Sequence, residues 1–307
     1  MGRSLAIDEL AIGASLGCFR GLTLEKAMNA YLNLSKDFNL KAVELRFEKE
    51  TGRPSFWHWE VDSSVRSFLE KFEFAGVHLP FVYINPISPN PRIREESIRQ
   101  LKEAMEKAAE SNMEYAVMHA RGLALGLSDE EQFDEWLKLI GELTDYAKEN
   151  AIILTIENAD FLWNLADVAE IVKRINSKWL RMTFDIGHAH LRKVSPLQTF
   201  PVRELFLRML DAFLPFSFSL FRRNMPYEKY GSIKKFLKTE KDLIHVVHIH
   251  DYNGRRDHLG IGEGKIDFSF LPLLKEFFRG PYIFEVEFNN PIDFEKSYKE
   301  FLKRFQS

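Results

Sequence analysis

The sequence predicts an α/β chain folded as a (β/α)8 TIM barrel, and three observations carry that reading. The apolar pattern switches repeatedly between short strand-like runs and longer helix-like stretches, which is the signature of βα units around a parallel sheet. Eight such strand-like runs occur along 307 residues. A glycine-rich GxGxxG turn after the first run, expected of an open dinucleotide-binding sheet, is absent, so a closed barrel fits better.

In chain order the strands are expected at Ile12 to Ser15, Ala42 to Phe47, Phe74 to Leu79, Tyr115 to His119, Ile152 to Glu157, Leu180 to Asp185, Ile244 to His250 and Tyr282 to Glu287. Each is a short apolar run rich in residues that suit a pleated, buried surface. Helices are expected between them, including Leu24 to Phe38, Arg94 to Ser111, Glu130 to Glu149, Leu165 to Ile175 and Phe294 to Phe305. Thr23 before the first of these, and Ser128 followed three residues later by Glu131, are helix start signals. The whole chain, 1–307, is read as one barrel domain.

One connection is longer than a barrel needs. Between the sixth and seventh strands, residues 191–242 contain an apolar stretch, Leu205 to Phe221, broken by Pro215. It is followed by Arg222, Arg223, Lys229, Lys234, Lys235, Lys238 and Lys241. This insert is expected to add helices over the barrel, as a lid or as an interface through which the chain forms a homo-oligomer. An apolar and basic segment also suits an arm that grips polyanions.

Composition sets outer bounds on function. With 45% hydrophobic and 28% charged residues the chain can bury a large core, and a net charge of -3 gives no overall attraction to nucleic acid or anionic membrane. A single cysteine, Cys18, allows no internal disulfide and suits a reducing compartment. Asp8 and Glu9 interrupt any apolar start, and no run approaches the roughly 20 apolar residues of a membrane span. A soluble cytoplasmic protein is therefore expected.

Of nine histidines, His78, His119, His188, His190, His248, His250 and His258 fall at or just after the predicted strand ends. Side chains at the carboxyl ends of parallel strands share one mouth, so these residues can meet there although they are far apart in sequence. With Glu157, Asp185, Asp257 and Glu285 they form a set of the ligand types that hold zinc, manganese or cobalt. Residues two apart on a strand share a face, so His248 and His250 face inward together while His245 faces the helices. A glutamate such as Glu157 in an apolar strand is costly without a cation or hydrogen bonds to compensate it. His58 drops out by position, and His190 and His250 are left to support a ligand or touch the substrate.

The motifs FDIGHAH (184–190), HIHD (248–251) and DHLGIGEG (257–264) give the chain a resemblance to the xylose isomerase-like TIM-barrel superfamily. That superfamily includes sugar phosphate isomerases and epimerases as well as the endonuclease IV group. The resemblance spans nearly the whole chain apart from the insert. It implies metal ligands at His78, His119, Glu157, Asp185, His188, His248, Asp257, His258 and Glu285, close to the full set of a trinuclear zinc hydrolase. The smaller set Glu157, Asp185, His248 and Glu285 is similar to the single-metal site of the isomerases and epimerases. Two positions depart from the nuclease pattern. Asp257 directly precedes His258 where one residue normally intervenes, and His250 stands where asparagine is usual.

The resemblance leads first to a sugar or sugar-phosphate isomerase or epimerase using one to three divalent ions of zinc, manganese, magnesium or cobalt. Glu157 and Glu285 would exchange the proton of an enediolate, and His188 and Arg121 would orient the substrate. Phe81, Phe161 and Trp163 would wall the site, with His250 a further substrate contact. The alternative is a multinuclear zinc phosphodiesterase acting on damaged DNA, which would give His78, His119 and His258 a task. Against DNA stand the net charge and the absence of basic loops after the first two strands. A third possibility is a non-catalytic barrel that binds a sugar or a metal.

Overall fold

The structure is a computed structural model that describes residues 9–50, 52–122, 124, 126–159, 164–190, 230–287 and 291–306. Eight parallel strands close into a barrel in sequence order: β1 (Ile12–Ser15), β2 (Ala42–Arg46), β3 (Phe74–His78), β4 (Tyr115–His119), β5 (Ile153–Glu157), β6 (Leu180–Asp185), β7 (Ile244–Ile249) and β8 (Tyr282–Phe284). Pairing of β1 with β8, Ile12 opposite Tyr282, completes the closure. The expected fold class is the observed one. Strand ends agree within about a residue except at β8, where Glu285 and Glu287 lie just past the strand. Their N–H groups still donate to the carbonyls of Ile249 and His258, both at 3.0 Å, so the extended path continues into the mouth.

Helices α1 (Leu24–Phe38), α2 (Ser63–Leu69), α3 (Pro91–Glu110), α4 (Asp129–Glu149), α5 (Leu165–Ile175), α6 (Ile233–Glu240), α7 (Leu271–Phe277) and α8 (Pro291–Gln306) accompany the strands. The start signals work as read. Thr23 accepts from the Lys26 N–H, and Ser128 and Glu131 form a reciprocal capping box. Each such cap contributes about 1 kcal/mol.

Strand alternation sorts the side chains. Val43, Leu45 and Val77 face the helices in the larger core cluster, while Ala42, Tyr115, Val117, Val246 and Ile283 plug the floor of the barrel interior. Gly76 makes room for that plug, because a Cβ there would lie 2.1 Å from the Tyr115 ring. Higher up, Thr155 and Thr183 of the neighbouring strands β5 and β6 share a hydrogen bond of 2.7 Å, and above them the strands end in acids and imidazoles.

His245 corrects the parity expectation. The β6–β7 register slips between Met182 and Thr183, so that Met182 pairs with Ile244 and Thr183 with Val246. His245 is the extra residue of this bulge. Its ring lies 5.8 Å from that of Tyr115 on the far strand β4, beneath the barrel floor rather than among the helices. A bulge re-aims side chains, which alternation alone cannot foresee.

Part of the long sixth connection is an ordinary barrel helix. Ile233, Phe236 and Leu237 of α6 are buried, and Phe236 packs 5.9 Å from Phe184 of β6. Residues 191–229, with the apolar stretch Leu205 to Phe221 and the first basic residues of the insert, lie outside the described residues. Among the described residues no helix is long and apolar enough to cross a membrane.

Candidate metal centre

His78, at the end of β3, has its Nδ1 3.0 Å from the Leu79 carbonyl. A carbonyl only accepts, so Nδ1 carries the proton and Nε2 presents its lone pair to the mouth. On the neighbouring strand His119, ending β4, brings its Nε2 to 3.0 Å from that of His78. The Glu157 Oε2 atom lies 3.2 Å from His119 Nε2 and 3.6 Å from His78 Nε2.

Glu157 is the hub. It ends β5 with no exposure, and its Oε2 also lies 3.2 Å from His248 Nδ1 while Oε1 lies 2.8 Å from His188 Nδ1. Despite these distances, neither Glu157 oxygen has a properly directed hydrogen bond, and neither does Nδ1 of His188 or His248. Buried donor atoms that crowd together without pairing are arranged around shared points, as ligands of a cation are. Asp185 Oδ2 and Glu285 Oε2 complete the ring about His248 Nδ1 at 4.0 and 3.4 Å.

Among the described residues three groups result, the first two sharing Glu157, each with ligand atoms within 4.8 Å of one another: His78, His119 and Glu157; Glu157, Asp185, His248 and Glu285; and His188, His250 and His258. Imidazole nitrogens and carboxylate oxygens are the donors that zinc, manganese and cobalt accept, so the residues fit such ions. Glu157 belongs to the first two groups and is placed to bridge them.

The third group is differently made. The His258 N–H donates to His250 Nδ1 at 3.0 Å, which leaves the His250 proton on Nε2, 3.1 Å from Asp185 Oδ1. Both nitrogens of His250 are thereby engaged, and the ring holds Asp185 rather than offering a lone pair. His258 adopts a left-handed φ of 52°, a strained conformation for this residue type, and donates from Nδ1 to the Glu285 carbonyl at 2.7 Å. Asp257 joins none of the three groups. Its charge acts on His258 from beside the cluster.

Burial and charge oppose one another here. Burial disfavours the Glu157 carboxylate, but His119 and His248 outweigh it and hold its pKa well below the ordinary carboxylate value. Burial likewise works against the His188 cation, yet Asp185 and Glu157 push its pKa up to about 10. For His258 burial and the neighbouring His250 act together and lower it to about 4. The cluster is thus of mixed charge, with the His188 cation set against Glu157 and Asp185 while His258 stays neutral.

The other expected site residues divide. Phe81 lies over the first group, its ring 4.3 Å from His119 and 4.9 Å from His78, with the guanidinium of Arg121 at 5.8 Å. His190 turns away, its Nδ1 donating to Ile186 and its ring stacked on Phe270. Phe161 and Trp163 lie outside the described residues.

Several supporting residues escaped the sequence reading. Glu44, buried inside β2, lies 3.0 Å from His248 Nε2. Glu48 accepts from the N–H groups of Phe81, Val82 and Tyr83 and so sets the loop that carries Phe81. Asn158 clasps the Asp185 backbone from both sides, at 2.7 and 2.9 Å. Asp251 gathers the N–H groups of Tyr252, Gly262, Gly264 and Ile266, which explains why HIHD and GIGEG occur together. The signal for Glu44 was the one used for Glu157, a carboxylate at an inward position of an apolar strand.

The loops after β1 and β2 are also more basic than their sequence suggested. Arg20 and Arg53 both bond Glu287 beyond β8, and Arg256 lies 3.9 Å from it. Arg46, at the end of β2, places its guanidinium 4.9 Å from the Phe81 ring. These are single arginines from separate loops, not a basic run, and only the barrel brings them together.

A family model described as xylose isomerase-like TIM barrel matches residues 32–306. The chain belongs to the xylose isomerase-like TIM-barrel family. Within it, an uncharacterized protein of Methanocaldococcus jannaschii, MJ1311, is 31% identical over 239 residues, which span 75% of this chain and 69% of the relative. A protein of Aquifex aeolicus named probable endonuclease 4 is 27% identical over 259 residues, 78% of this chain and 82% of that one. Among solved structures, a D-tagatose 3-epimerase-like protein superposes with a TM-score of 0.66 at 25% identity, covering 97% of this chain and 98% of its own. Membership of the xylose isomerase-like family thus joins this barrel both to sugar epimerases and to an endonuclease 4 relative.

Proposed function

We propose that this chain is a divalent-metal-dependent phosphodiesterase whose mouth would hold two ions, with Glu157 common to both sets of ligands. The observation that carries the reading is the convergence of His78, His119 and Glu157 beside the complete group Glu157, Asp185, His248 and Glu285. A single-metal isomerase has no use for the first of these groups. Two bound ions would supply Lewis-acid charge for the phosphoryl oxygens and a water acidic enough to attack at neutral pH.

The chain's own residues do the rest. Glu157 holds both groups in one frame, and Asn158 and His250 fix Asp185 so that its carboxylate faces inward. Arg121 and Arg46, both beside Phe81, would bind a phosphate that enters over His78 and His119, Arg46 turning to it from its ion pairs with Glu48 and Glu50. His188, 11% exposed at the side chain, stands at the rim, where it can hand a proton to a leaving oxygen.

A second reading, the single-metal epimerase, is favoured by the four-residue group standing complete on its own and by the likeness to the D-tagatose 3-epimerase-like protein. There Glu157 and Glu285, 3.2 and 3.4 Å from His248 Nδ1, would exchange the proton of an enediolate. Metal analysis of purified protein, paired with assays on bis(p-nitrophenyl) phosphate, an abasic duplex and a panel of ketoses and their phosphates, separates the two. Two ions with phosphodiester cleavage support the first reading. One ion with epimerisation of a ketose replaces it by the second.

A further inference from the structure

Glu44 is a carboxylate with no exposure, set midway along an apolar strand and opposite Gly76 in the register with β3. An ionisable group there is costly unless something in the interior engages it. What engages it is His248, likewise fully buried, whose Nε2 lies 3.0 Å from Glu44 Oε2. A carboxylate accepts, so this contact keeps a His248 proton on Nε2 and leaves Nδ1, the nitrogen turned toward Glu157, Glu285 and Asp185 at 3.2, 3.4 and 4.0 Å, as the one to give up its proton to an ion. His248 Nδ1 has no directed hydrogen bond of its own.

We infer that Glu44 is a positioning residue for the metal centre, holding His248 in the one tautomer and orientation that presents Nδ1 to an ion. A carboxylate behind an imidazole fixes the ring and raises its basicity as a ligand. Among the described residues Glu44 is the group paired with Nε2, while the opposite nitrogen faces the carboxylates of the metal group. The inference rests on the metal-binding part of the proposed function and not on the reaction.

The test is zinc binding to the chelator-treated full chain by calorimetry, for wild type, Glu44→Gln and Glu44→Leu, with the melting temperature of each metal-free protein alongside. Removing the carboxylate in Glu44→Leu is expected to weaken zinc binding about 10–100-fold. Glu44→Gln, whose amide oxygen still accepts, should recover most of that loss. Long-range proton–nitrogen NMR of the zinc-loaded wild type should find the His248 proton on Nε2 and the metal on Nδ1, a result that does not depend on either variant folding. Equal zinc affinity in all three proteins, or a His248 proton on Nδ1, overturns the role of Glu44 and leaves the metal centre standing. A wild type that takes no zinc overturns both.

Discussion

The Nε2 atoms of His78 and His119 face each other at 3.0 Å, while the far side of the His78 ring is tied to the Leu79 carbonyl. Two imidazoles so placed share either a proton, one nitrogen donating to the other, or a cation in its place. His119→Ala should therefore lower the metal content from two ions to one and cut phosphodiester turnover by about 10²–10³-fold, the usual loss when a fixed electrostatic element at a reaction centre is removed. Metal analysis and single-turnover assays on the same preparation check this. An unchanged count would mean that this histidine pair is not a ligand pair.

The engagement of both His250 nitrogens leaves His188 and His258 short of a third partner. Native mass spectrometry under excess zinc should accordingly find two ions, not three, and Asp257→Asn should leave that number unaltered. A third ion that disappears in Asp257→Asn would show that Asp257 swings in to complete the set.

The metal-free chain should be most stable near pH 6.5. The His188 pKa rises from an ordinary 6.5 to about 10 because Asp185 and Glu157 outweigh its burial, so its contribution is full below 6.5 and is lost as pH climbs through 10. His258 runs the other way. Burial and His250 lower it to about 4, so its contribution is full above 6.5 and fades as pH falls toward 4. Glu157 and Asp185, also held low, add to the acid-side loss. Bound ions replace the protons on the imidazoles and should abolish the alkaline decline. Melting temperatures from pH 4 to 10, with and without chelator, test the pattern; a chelated protein that gains stability from pH 7 to 10 contradicts it.

Gly187 lies directly under His250, where a Cβ would come within 1.8 Å of the ring carbon Cε1. Gly187→Ala should push the ring off Asp185, costing about 1–3 kcal/mol as overpacking does. Zinc affinity should fall with it, because Asp185 loses its support. Urea unfolding and calorimetry read both effects, and a variant as stable and as tight-binding as wild type would refute the packing role.

Much of this was legible in the sequence. Period switching gave eight strands and the closed barrel, and position at or just after a strand end picked out His78, His119, Glu157, Asp185, His188, His248, His258 and Glu285 as candidate ligands, because residues placed there need only the local pattern and the fold rule to be found. Glu44 was legible in principle, since a carboxylate inside Ala42 to Phe47 asks the same question as Glu157. What it answers to, His248 of β7, stands 204 positions away in the chain.

Other features were beyond any local pattern. The β6–β7 bulge moved His245 to the barrel floor, and Arg20, Arg53 and Arg256 meet at Glu287 from three loops. The sequence by itself determined the barrel and the imidazoles and carboxylates that gather at its mouth, since alternation and chain order act residue by residue. Only the tertiary structure decided which atoms converge, that His250 braces Asp185, and that Glu157 sits between two groups. Hydrogen-bond direction depends on partners brought together by closure of the barrel, and no run of residues encodes it alone.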